Sequence, residues 1–143
     1  MRHSSALHTA VPIGAVVCCE IYHLFEHSGI YIGDGQVIEL AGSGLIRALS
    51  FERFVGQRSG EDLYLAATAS GQIIGSAAAA ERALSQLYSY QSYDLLRNNC
   101  HRFTYACVSG QSLPVTSFYD LKQALAHYWR FTPQWQQCRL PRR

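Results

Sequence analysis

From Ala15 to Ala67 the chain runs in short apolar stretches broken by glycine and polar residues, and beyond Gly75 alanine-rich, helix-spaced patterning takes over. Ala15-Val16-Val17-Cys18-Cys19-Glu20-Ile21-Tyr22-His23 is β-branched, aromatic and almost continuously apolar, the pattern of a buried strand. His27–Ile32 and Gln36–Ala41 predict two more strands. Between them Gly33-Asp34-Gly35 is a turn signal, so the pair is expected as a hairpin. Leu45–Phe54 and Asp62–Ala67 are further strand expectations, separated by the polar stretch Gly56–Glu61.

Ser76–Tyr88 is rich in helix formers, and its positions 77, 80, 84, 87 and 88 predict one apolar helical face. A second helix is expected from Cys100, with Asn99 as N-cap and Gly110 closing it. A third runs from about Phe118 to Tyr128, opened by a capping-box pattern in Ser117 and Asp120, with Pro133 beyond it. Strands first and helices second predict an α+β fold, an antiparallel sheet packed with helices on one side. With no internal repeat and no linker, residues 1–143 read as a single domain with its core at about 12–130. Met1–Ala10 then forms a loose lead-in, and Arg139, Arg142 and Arg143 a frayed basic tail.

Composition narrows the classes. Apolar residues make up 48% of the 143 and charged ones 15%, which supports a packed core and argues against disorder. A formal charge of +2 with dispersed arginines gives no electrostatic footprint for nucleic acid. Five irregularly spaced cysteines predict free thiols in a reducing, cytoplasmic setting rather than a disulfide framework. Val11–Cys19 is too short to span a bilayer. As an export signal it has only Arg2 ahead of it, and Val17 before Cys18 is not the small residue a cleavage site prefers. The expectation is a cytoplasmic protein, with peripheral membrane contact at most. Nothing in the pattern sets an oligomeric state.

The chemistry centres on Asn98-Asn99-Cys100-His101-Arg102-Phe103. A thiol in the first turn of a helix faces free backbone N–H groups and the positive end of the helix dipole, which favour thiolate, the nucleophilic form. The same N–H groups suit the oxyanion formed when a carbonyl is attacked. Tyr22 and Tyr93 are candidate hydroxyls for that anion. A base is available in His27. If Gly33-Asp34-Gly35 is a three-residue loop, Ile32 pairs with Gln36 and His27 with Ala41. Glu39 is then diagonal to His27 on the same face, roughly 7–8 Å away at the backbone and within side-chain reach. A two-residue Asp34-Gly35 turn would put Glu39 on the opposite face. In the first register Glu39 orients His27, and His27 activates Cys100. His101 is expected to be solvated and turned away from Cys100. Cys107 is expected in the core.

His27-Ser28-Gly29-Ile30-Tyr31-Ile32-Gly33-Asp34-Gly35-Gln36-Val37-Ile38-Glu39-Leu40-Ala41 resembles the histidine hairpin of the lecithin:retinol acyltransferase-like proteins. Those proteins belong to the NlpC-like group of thiol enzymes with a circularly permuted papain-like fold. Asn99-Cys100-His101-Arg102-Phe103 is similar to that family's Asn-Cys-Glu-His-Phe motif, and the order, hairpin first and cysteine helix later, agrees over about residues 12–110. The resemblance implies histidine on the sheet, cysteine at a helix N-terminus, and Cys100, His27 and Glu39 as catalytic residues. It implies a thioester formed from an acyl donor, with a lipid acyl ester such as a phospholipid as the expected substrate, and no cofactor. Cell-wall amidase or peptidase chemistry, and a non-catalytic binding module on the same fold, are the alternatives. The chain departs from the family in having Glu39 where animal members commonly have a second histidine. It also has His101-Arg102 in place of Glu-His, and no membrane-spanning segment in Gln111–Arg143. A zinc site in Cys18, Cys19, His23 and His27 is the competing chemical reading. It is disfavoured because successive strand residues point to opposite faces.

Overall fold

The computed structural model describes residues 11–21, 24–56, 62–94 and 99–139. Its strands are β1 (Val16–Ile21), β2 (Leu24–Gly33), β3 (Gln36–Leu40), β4 (Ile46–Ser50), β5 (Asp62–Ala67) and β6 (Gln134–Arg139). They form one antiparallel sheet in the order β4-β3-β2-β1-β5-β6. The helices are α1 (Phe51–Gly56), α2 (Ala77–Ser85), α3 (Cys100–Ser109) and α4 (Phe118–Trp129). The fold is therefore α+β, as the order of the patterns predicts.

β1 lies inside the sheet and is buried on both faces, which accounts for its continuous apolarity. Val16 and Cys18 join Ile30, Ile38 and Phe103 under α2–α4, whereas Val17 and Cys19 join Tyr31, Val37 and Phe54 under α1. Helices thus cover both faces, not one. The difference arises in Leu45–Phe54, expected as one strand, which turns into α1 after Ser50. The Ser50 hydroxyl accepts from Arg53 N at 3.1 Å, and Phe51, Phe54 and Val55 are buried at helical spacing.

α2 is shorter than the sequence pattern suggests and faces differently. Ser76 caps its start by accepting from Ala79 N, and Ala79, Ala80 and Ala83 are buried while Leu84 is 46% exposed. Small alanines let α2 lie close against α3, where Arg82 Nη1 donates to the Cys107 and Val108 carbonyls at 2.9 and 3.1 Å. These are orphan carbonyls of a helix end, and a guanidinium there also meets the negative end of the dipole. α3 and α4 follow expectation, with Gly110 left-handed after α3 and a Ser117–Asp120 capping box before α4. Leu121 and Leu125 on α4 are fully buried against the core, but Tyr128 is exposed.

The tail is not frayed up to Arg139. β6 pairs along β5 from Gln134↔Ala67 to Arg139↔Asp62, and Trp135 packs edge-on against Phe118. The ordered core therefore reaches beyond residue 130, while Arg142 and Arg143 lie outside the described residues. Among the described residues no helix is long and apolar enough to cross a membrane.

Candidate active site

The hairpin that carries His27 and Glu39 turns on two residues, not three. Asp34 (φ 53°) and Gly35 (φ 72°) are both left-handed, as a primed hairpin turn requires, and Gly33 pairs with Gln36. By itself this turn would move Glu39 to the wrong face. A β-bulge between Tyr31 and Gly33 leaves one extra residue on β2 and restores the parity. Ile30 then pairs with Ile38, the same register that a three-residue loop predicts. Continued toward His27, that register sets Gly29 opposite Glu39, and Gly29 has no room for a side chain. A Cβ there would lie 2.7 Å from the Ile38 carbonyl oxygen and from Val37 Cγ1. The imidazole and the carboxylate thus meet across a position with no side chain between them.

His27 Nε2 and Glu39 Oε1 are directly hydrogen-bonded, and both residues are buried, Glu39 completely. The ring rests against Phe54 of α1 with centroids 4.8 Å apart. On β1, Cys19 pairs with His27, and the β1–β2 register shifts at the next step, Cys19/Glu20. A bulge of this kind re-aims the side chains beside it. The Cys100 thiol lies close enough to His27 to couple to its ring and raise the imidazole. With Nε2 held by the carboxylate, Nδ1 is the nitrogen left to exchange a proton with sulfur. Burial alone pulls the His27 imidazole down. The coupling to Cys100 and the hydrogen bond to Glu39, together with their charges, outweigh it and hold the imidazole above its ordinary value.

Cys100 opens α3 as predicted. The Asn99 side-chain oxygen accepts from His101 N (3.0 Å) and Arg102 N (3.4 Å), and its Nδ2 donates to the Thr116 carbonyl at 2.6 Å. A cap of this kind is worth about 1 kcal/mol to the helix. The Cys100 N–H belongs to the same helix end, where an oxyanion is best received.

Two residues at the site escape sequence reasoning. Arg47 lies directly across from Glu39 in the β3–β4 register and its Nε donates to Glu39 Oε2 at 2.8 Å. His101 is buried, not solvated. Its Nδ1 is 2.9 Å from Ser28 Oγ, which is also 2.9 Å from Thr104 Oγ1 and 3.5 Å from the Cys100 carbonyl oxygen. The first turn of α3 lies flat on β2, so position 101 meets the sheet. The signal for this is the spacing of His101, Thr104 and Val108, which shares one helical face.

Compared with family models and with curated proteins, the chain matches none. The remaining candidates are placed as follows. Backbone bonds between Tyr88 N and the Ile46 carbonyl and between Ile46 N and the Ser89 carbonyl strap the segment after α2 onto β4. Tyr93 follows that strap and packs, half-buried, against the core under α2–α4. Burial, then the charges of Cys100 and Glu39, push its phenol above the ordinary value, so it stays a donor. Tyr22 and His23 lie outside the described residues. Cys18 and Cys19 point to opposite faces, and among the described residues no group of three or more His, Cys, Asp or Glu is arranged to hold a metal. All five cysteines are free. Burial pushes the Cys107 thiol up to about 12 despite Arg82, and it also raises Cys18 and Cys138. Those three are poor nucleophiles.

Proposed function

We propose that this chain is a cysteine-dependent acyl-transfer enzyme of the lecithin:retinol acyltransferase-like type, on the circularly permuted papain-like fold of the NlpC-like group. The observation that carries the reading is a buried histidine bonded to a buried carboxylate and coupled to the thiol that opens a helix. A structural cysteine needs no such chain of partners. The motif resemblance and the sheet-borne histidine facing a helix-opening cysteine support it as well.

In this reading Cys100 gives its proton to His27, and the thiolate attacks the carbonyl carbon of an acyl donor, a lipid acyl ester being the expected class. The oxyanion is received by the Cys100 N–H, with the Tyr93 hydroxyl as the second candidate donor. Collapse breaks the bond from carbon to the leaving oxygen, which departs with the proton from His27. The product is a Cys100 thioester. Neutral His27 then takes a proton from water or another acceptor as it attacks the thioester, the carbon–sulfur bond breaks, and the proton returns to the thiolate–imidazole pair. Glu39 keeps the ring oriented throughout. Five free thiols support a reducing, cytoplasmic location, and peripheral contact with a lipid surface would bring the donor within reach.

The test is intact-protein mass spectrometry after incubation with a phospholipid panel and, separately, a muropeptide panel. An acyl adduct on Cys100 from phospholipid, lost in Cys100→Ser, is expected. An adduct from muropeptides alone would replace the lipid donor with cell-wall amides. Hydrolysis by Cys100→Ser at the wild-type rate would overturn the mechanism.

A further inference from the structure

Glu39 is fully buried, and among its partners are His27 on Oε1 and Arg47 on Oε2. These partners differ in kind. The imidazole gains and loses a proton in each turnover, whereas a guanidinium never gives one up. A buried carboxylate paired only with His27 would be left as an uncompensated buried charge whenever the ring is neutral, a costly state. It would escape by taking up a proton, from solvent or from the imidazolium, and the base would lose its orienting anion.

We propose that Arg47 is a positioning residue which keeps Glu39 ionised and fixed through both protonation states of His27, so that the site is a four-member relay. The inference rests on the acyl-transfer reading above. Arg47 acts through Glu39 and His27 and touches neither sulfur nor substrate. Its side chain is 43% exposed, so water completes the solvation of the guanidinium while the Nε end reaches the buried oxygen.

Two electrostatic effects oppose each other. The guanidinium repels an imidazolium directly, but from the far side of the carboxylate and half in water, where screening is strong. The attraction between Glu39 and the ring is a contact pair in a dry setting, where charge interactions are several-fold stronger. Losing the ionised carboxylate therefore outweighs losing the repulsion. Among the described residues, the other titratable groups around the relay include Cys100 and His101 from α3, Cys18 and Cys19 from β1, and Tyr93 from the strap. α1 contributes the Phe54 ring. None of these supplies a permanent cation.

The experiment measures the rate of Cys100 alkylation by iodoacetamide across pH, site-resolved by peptide mapping. It uses wild type, Arg47→Met, Arg47→Lys, Glu39→Gln and the Arg47→Met/Glu39→Gln double variant, with thermal melts of each. Arg47→Met is expected to move the half-maximal pH upward by about one unit, roughly a tenfold slower reaction at neutral pH. Arg47→Lys should recover most of that, and in the Glu39→Gln background the same change should cost less than about twofold. A lower melting point with an unmoved profile would overturn the proposal by reducing Arg47 to a structural ion pair. So would equal damage from Met and Lys. Should Arg47→Met not fold, the Lys variant and the Glu39→Gln comparison still decide. A wild-type Cys100 no more reactive than Cys138 would bring down the acyl-transfer reading itself.

Discussion

The two faces of β2 present neighbouring residues to opposite tasks. On the α1 face, His27 and Glu39 form a charged chain with Arg47. On the α3 face, Ser28 forms a neutral cluster with His101 and Thr104. The same step divides α3, where Cys100 meets His27 and His101 meets Ser28. Both clusters are buried and polar, yet one contains groups whose charge can change with a reacting partner and the other is a hydrogen-bonded pin. A buried polar network is thus no sign of chemistry in itself. On the proposed reading, what distinguishes the face that carries His27 is a thiol at a helix N-terminus and a fixed cation at the far end of the chain.

That division is open to measurement. Ser28→Ala takes the pin away from His101 and Thr104, and losing a buried partner of this kind costs about 1–3 kcal/mol. The expected result is a melting point lower by several degrees with little change in the pH profile of Cys100 alkylation. A profile displaced as far as in Arg47→Met would show the two faces to be one functional unit. A smaller effect concerns pH and stability. His27 is held above its ordinary value of 6.5 in the folded protein, so the folded state binds the proton more tightly than the unfolded chain. The stabilisation is fully present below about pH 6.5 and is lost as pH rises through the elevated folded value. Thermal melts from pH 6 to 9 should therefore show a decline in wild type that is shallower in His27→Gln. Identical slopes would mean that His27 carries no such shift.

Much of this site was legible from the chain. The hairpin, the Asn99 cap and the thiol opening a helix each follow from local chemistry. The His27–Glu39 register was reached through a different turn, because a two-residue turn plus a bulge displaces β3 by the same amount as a three-residue loop. Arg47 was hidden because Leu45–Phe54 reads as one strand, which leaves no register across Gly42-Ser43-Gly44. An acid inside Val37-Ile38-Glu39-Leu40 needs a cation on the neighbouring strand, and of Arg47 and Arg53 only Arg47 falls opposite it. Spacing along the helix turns His101 away from Cys100, but only the sheet beneath the helix, which the local sequence does not reveal, buries it. β6 escaped because Gln134-Trp135-Gln136-Gln137-Cys138-Arg139 is an edge strand without clean alternation.

The central claim is that Cys100 owes its reactivity to His27. Site-resolved iodoacetamide labelling at neutral pH, in wild type and His27→Ala, tests it most directly, with thermal melts to verify folding. The account predicts that Cys100 is labelled well ahead of the other four cysteines in wild type. In the folded variant it should react at least about tenfold more slowly, with acyl turnover down by a factor of about 10²–10⁴. Labelling spread evenly over all five thiols, or a Cys100 rate untouched by His27→Ala, would contradict it.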